Sequence, residues 1–212
     1  PQLEKANTQG EYYLTDLVML ANKAGNKAGF LSIDAQELAG INDRQQLAEL
    51  EAVIQVKLRK KAMMAGVSML APDTVYLSSD TEYGRDIVIE PHVVMGKGCS
   101  IGDGCHIKAF SHLEGAAIGS DCIIGPHARL RSGTILETGV KIGNFVETKN
   151  AHFETGAKAN HLSYLGDATI GTDANIGAGV ITCNYDGFNK SKTDIGANAF
   201  IGSNSALIAP VK

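Results

Sequence analysis

The chain has 212 residues, 44% hydrophobic but only 6% aromatic, with 24 glycines and a formal net charge of −4. That balance excludes a nucleic-acid polyanion as the main partner, because such binders carry clustered basic charge. No secretory signal is visible in these residues, and none of their apolar runs reaches the roughly eighteen residues a membrane span needs. The four cysteines form no Cys-x-x-Cys pair, which points to a reducing compartment, the cytoplasm, and away from a cysteine-based zinc site.

Residues 1–66 read as helical. "EYYLTDLVMLANKAG" carries an apolar stripe of Tyr13, Leu17, Leu20 and Ala21. "NDRQQLAELEAVIQVKLRKKAMMAG" opens on an Asn/Asp cap, closes at Gly66, and places Leu47, Leu50, Ile54 and Leu58 on one face. Its basic run "KLRKK" reads as a solvated face. The segment is too short to be an enzyme domain alone, and the expectation is the tail of a preceding domain followed by a connecting helix.

Residues 67–212 differ in kind. An aliphatic residue returns at Ile89, Met95, Ile101, Ile107 and Leu113, and after a five-residue step at Ile118, Ile124, Leu130, Leu136 and Ile142. The register weakens through Thr148, Phe153, Ala159 and Leu165, then recovers at Ile170, Ile176, Ile195, Ile201 and Leu207. The fifth position of the hexad is small, as at Cys99, Cys105, Cys122, Ala128, Val140, Ala174, Ala199 and Ser205. This is neither a helical period nor strand alternation; it is the signature of a parallel β-helix, with glycine easing the corners. Three cysteines therefore read as packing, and Cys183, in a polar interruption "TCNYDGFNKSKTD", as the one exposed to reaction. The hexads run to the last residues, so the C-terminal end reads as incomplete.

Several stretches are more specific than generic hexads: "GEYYLTD", "GINDRQQLAELE", "GPHARLRSG", "IGNFVETKNA", "KANHLSYLGDA", "NIGAGVITCNYDG" and "FIGSN". Through them the chain resembles the bacterial bifunctional N-acetylglucosamine-1-phosphate uridyltransferase / glucosamine-1-phosphate N-acetyltransferase family. The resemblance implies a left-handed β-helix, although the general crossover rule favours the right hand, and a homotrimer. It makes residues 1–66 a remnant of the uridyltransferase domain with its linker helix, and 67–212 the acetyltransferase domain. The implied activity is acetyl transfer from acetyl-CoA to the amine of glucosamine 1-phosphate, toward UDP-N-acetylglucosamine for the cell wall.

By the same resemblance His161 is the catalytic base and Glu147 its orienting carboxylate. Tyr164 and Asn175 match sugar-binding positions, and Ala178, Asn184, Tyr185 and Ser203 match the acetyl-CoA site. Asn42 corresponds to a Mg2+-binding Asn of the uridyltransferase half, whose partner carboxylate is expected upstream, so uridyl transfer is not expected of this chain. Hexads beyond Lys212 are expected to contribute to acetyl-CoA binding.

One inference needs no resemblance. If three hexads make a coil, Arg131 and Lys149 stack on adjacent coils about 4.8 Å apart. Like charges so placed repel, and the column invites an anion such as a sugar phosphate. Among enzymes the nearest rival is another hexapeptide-repeat acyltransferase, acting on a different acyl-CoA or acyl carrier, and two readings of other classes also remain at this point. A zinc-dependent hydratase would use stacked histidines, but between His92 and His127 the count places Phe110. A non-catalytic trimeric scaffold would not need His161 and Asn184-Tyr185.

Overall fold

The structure, a computed structural model, describes Leu3, Lys5 and residues 8–212, without the side chains of residues 35 and 36; the start of "PQLEKANTQG" thus lies partly outside the described residues. Two compact units divide at 47/48. In the first, α1 spans Asp16–Lys23 and buries none of its residues, so the expected stripe covers no core within it.

Helix α2 spans Arg44–Met64. Asp43 caps it, its Oδ1 accepting from the Gln46 amide at 2.8 Å, and Gly66 ends it with φ +106°. The expected apolar face is buried only in part, through Leu58, which packs against the core. Leu47 and Ile54 are exposed, and the helix buries Gln55, Arg59 and Ala62 instead. The reason is the surface it meets. Leu77 lies in the first coil, whose outer side has no preceding strand, and Gln55 takes that strand's place. Its Nε2 donates to the Leu77 carbonyl at 2.7 Å and its Oε1 accepts from the Leu77 N–H at 2.9 Å. Arg59, inside the run expected to be fully solvated, donates to the Val75 carbonyl and pairs with Asp73 at 3.2 Å. Gln55→Ala should cost about 1–3 kcal/mol by orphaning both Leu77 groups. Urea denaturation of that variant with an unchanged midpoint would contradict the account.

From Val67 onward the chain is the left-handed parallel β-helix expected of it, preceded by the helical segment. One face carries eight parallel strands, from Val67–Met69 to Phe200–Ile201. Twelve further strands form the two remaining faces, joined because Glu147–Phe153 turns a corner and pairs on both sides of it. The hexad residues point inward: Ile89, Ile107, Leu113, Ile124, Leu130, Ile142, Phe153, Leu165 and Ile170 are all 0% exposed. Even the weak repeats at Thr148 and Ala159 hold interior positions. Cys99, Cys105 and Cys122 are buried as expected, whereas Cys183 ends the strand Ile181–Cys183 and is half-buried.

Glycine does ease many corners, with φ of 69–80° at Gly98, Gly104, Gly133, Gly139, Gly156 and Gly179, but one column of corners departs from that expectation. His92, Phe110, His127, Phe145 and Leu162 take left-handed φ values of 51–61°, a costly conformation for side chains of this bulk. At four of them ring stacking offsets the cost: His92, Phe110, His127 and Phe145 form a continuous ladder with centroids 4.9–5.0 Å apart. The interleaved phenylalanines deny the two histidines a shared metal, and no cluster of three or more His, Cys, Asp or Glu able to hold a metal exists among the described residues.

Candidate active site

Strand register assembles the predicted residues into columns. Asn144 pairs with His161. Lys158 pairs with Asn175 and Ile176 with Ile201, which carries the column upward to Ala178 and Ser203. Thus Asn144, His161, Ala178 and Ser203 succeed one another along one face, with Asn175 beside them. Around the corner at Leu162 lies a second group. Arg129, Glu147, Tyr164 and Ile181 are register partners in turn. Next to them Arg131 donates its backbone N–H to Thr148, and Lys149 pairs with Gly166.

The side-chain partners of His161 and Glu147 differ from the expected pairing. His161 Nδ1 lies 2.7 Å from Asn144 Oδ1, while Glu147 Oε1 accepts from Arg131 NH1 at 2.8 Å. A carbonyl oxygen can only accept, so His161 carries its proton on Nδ1 and leaves Nε2 with a free lone pair. Asn144 lay within "IGNFVETKNA" but was missed, because the signal is a 17-residue step across coils and not a local motif. The Arg131–Lys149 column is also less bare than expected. Arg131 already has a carboxylate partner, and Lys149 stands beside Asp167, whose carboxyl its charge helps to hold low.

Tyr164 owes its pose to Gly166. A Cβ at position 166 would run into the Tyr164 hydroxyl and ring, so glycine there lets the ring fold back along its own strand. Thr182 Oγ1 accepts from the Gly166 N–H at 2.8 Å and ties this strand to the next coil.

The interruption is visible as a change of step. Lys158 pairs with Asn175, 17 residues on, but Asn175 pairs with Phe200, 25 residues on. The extra chain leaves after Cys183 and returns before Thr193. Asn184 is buried at its root, while Tyr185 and Phe188 are 59% and 91% exposed. A residue not foreseen from the sequence holds that root. Asp167 Oδ1 accepts from Asn150 Nδ2 at 2.6 Å and its Oδ2 from Asn184 Nδ2 at 2.5 Å.

Burial alone would push the Asp167 carboxyl up. The two amides, with the charges of Lys149 and Lys190, overcome it and hold the group below the usual carboxylate range. Its contribution to stability is therefore complete above the unfolded value of about 3.9 and is lost as pH falls through the lower folded value. The stability difference between wild type and Asp167→Asn should be flat near neutrality and shrink in acid. A difference that widens in acid would contradict this.

Asn42 lies in the first unit. Its backbone N–H and Nδ2 both donate to Gln46 Oε1, at 2.7 and 3.2 Å. Among the described residues no cluster of three or more His, Cys, Asp or Glu forms around it. Asn42 by itself does not make a Mg2+ site.

No protein-family model matches the chain. It is 56% identical over 210 residues to the bifunctional protein GlmU of Azorhizobium caulinodans, covering 99% of this chain and 47% of that protein. Against the bifunctional protein GlmU of Xanthobacter autotrophicus it is 60% identical over 210 residues, with 99% and 47% covered. Among solved structures, UDP-N-acetylglucosamine acyltransferase from Campylobacter jejuni aligns at 15% identity over 63% of this chain and 65% of that one, with a TM-score of 0.31. No helix among the described residues is long and apolar enough to cross a membrane. With such identity sustained along almost every residue, the chain belongs to the GlmU family and spans about half the length of the curated relatives it matches.

Proposed function

We propose that the chain carries the acetyltransferase site of a GlmU-type enzyme, moving acetyl from acetyl-CoA to the amine of glucosamine 1-phosphate in UDP-N-acetylglucosamine biosynthesis. The observation that carries the reading is His161, exposed at its strand end, with Nδ1 engaged by Asn144 and Nε2 free. As the acceptor nitrogen attacks the thioester carbonyl carbon, Nε2 takes the proton that nitrogen sheds. The tetrahedral oxyanion then collapses, the C–S bond breaks, and the leaving sulfur takes the proton back from the imidazolium. Donors around the carbonyl stabilise the oxyanion in such a transfer.

Arg131 and Lys149 suit the acceptor's phosphate, since Arg can grip two oxygens and Glu147 already fixes its guanidinium. Tyr164 and Asn175 flank the sugar. Ala178 and Ser203, stacked above His161, take the acetyl-CoA side together with Asn184 and Tyr185. His161 and the Arg131 group lie on two faces meeting at one corner, an arrangement completed by neighbouring copies in a homotrimer, the assembly this reading adopts. Residues 1–66 belong to the uridyltransferase side of the full-length protein, and this chain is not expected to transfer uridyl.

The test is thiol release from acetyl-CoA by the full-length protein with glucosamine 1-phosphate as acceptor. Release that depends on the acceptor is expected. Release independent of it, or none, would overturn the reading.

A further inference from the structure

Asn150, Asp167 and Asn184 occupy the same corner on three successive coils. Ala151 pairs with Ala168, and Tyr164 with Ile181, which places the three one above another. The preceding coils have Gly115 and Gly133 at this corner. The side chains change from none to a polar ladder at the level where the chain makes its excursion.

The middle rung is a carboxylate only 8% exposed, and it takes one amide N–H on each oxygen. No ion pair to it is present among the described residues; Lys149 and Lys190 act on it only through their field. Holding a charge in such a place is expensive unless its hydrogen bonds are good. An ionised carboxylate can only accept, so both amides must turn Nδ2 toward Asp167 and Oδ1 away from it. Asp167 thereby sets the amide orientation of Asn184.

Asn184 is also the hinge of the excursion. Its carbonyl accepts from Ser191 N–H at 2.9 Å, closing the base, and Tyr185 and Lys190 bridge just beyond. The tip is internally braced. Asp186 Oδ1 accepts from the Phe188 and Asn189 amides at 2.7 and 2.6 Å, and the Tyr185 hydroxyl donates to the Gly187 carbonyl at 2.6 Å. A loop braced within itself takes its direction from its root.

We propose that Asp167 is a positioning residue: by clamping the Asn184 amide it fixes the root of the 184–191 loop and aims that loop at the acetyl donor. The kinetic part rests on the acetyltransferase reading.

Asp167→Asn is the direct test, in the full-length protein. An amide at 167 keeps the shape but must set its own NH2 against one of the two amides that now donate to it. The KM for acetyl-CoA should rise roughly 10- to 100-fold, the effect of losing a hydrogen bond to a charged group, while the KM for glucosamine 1-phosphate stays within about twofold. Asn184→Ala, which removes the clamped group itself at the loop root, should reproduce the loss, and the double variant should be no worse than either single one. Hydrogen exchange at 184–191 should quicken in both variants with the strand Tyr164–Ile170 unchanged. Losses that add, equal effects on both substrates, or unaltered exchange in the loop would overturn the proposal. Should wild-type protein show no acceptor-dependent thiol release, the acetyltransferase reading fails by itself, and the exchange measurement still decides whether Asp167 anchors the loop.

Discussion

Replacing His161 by Ala is expected to slow acetyl transfer by about 10²-fold or more, the usual contribution of a positioned general base, with the β-helix intact. His161 is exposed at its strand end and its side chain bonds Asn144, so its removal opens no cavity in the interior. The loss should fall on kcat, since the imidazole acts on the proton of the attacking nitrogen and does little to hold either substrate at rest. Asn144→Ala should give a smaller loss of the same kind, because it frees the ring to rotate and to swap its tautomer. Thiol release measured at saturating concentrations of both substrates checks this. Wild-type rates in the His161 variant would remove it from the chemistry.

The second large effect is structural. Phe153→Ala should destabilise the β-helix by about 3–5 kcal/mol, the cost of an aromatic-sized void in a packed interior. Phe153 is 0% exposed and stands between Leu136 on the coil below and Ile170 on the coil above. Each coil of a solenoid is held mainly by its neighbours, so a void here weakens the contact through which stability passes along the stack. The strand that ends at Phe153 begins at Glu147, and the damage should therefore reach the Arg131–Glu147 pair. Guanidinium denaturation should show a lower midpoint, and a midpoint unchanged from wild type would show that the coils are independent of this side chain.

The solenoid was legible because its cause is local. Each coil needs an aliphatic residue at a fixed step, and even Phe153 and Ala159, where the pattern weakens, point inward. The end of α2 and its cap were legible for the same reason. Its buried face was not. Amphipathic reasoning assumes a helix meets apolar surface, whereas Gln55 and Arg59 meet unpaired backbone, and for that partner a polar side chain is the better match. The site was legible in its members but not in their pairings. Asn144 with His161, and Asp167 with Asn150 and Asn184, join residues 17 positions apart that lie off the inward aliphatic position of the hexad, where the repeat leaves the residue type free. Glu147 was assigned to the histidine through the family resemblance, and no spacing in the sequence carries that pairing. Its side chain points instead to a cation one coil earlier.

The excursion after Cys183 has a consequence for how such a protein can change. Ala168 pairs with Thr193 and Asn175 with Phe200 in the same parallel alignment that prevails where no excursion exists, so the framework closes over it without distortion. Lengthening, shortening or rewriting residues 185–190 alters what is presented to a ligand while the load-carrying coils keep their neighbours. Variation in substrate choice can then be tried at this one place without re-solving the folding problem, provided the clamp at Asn184 is kept.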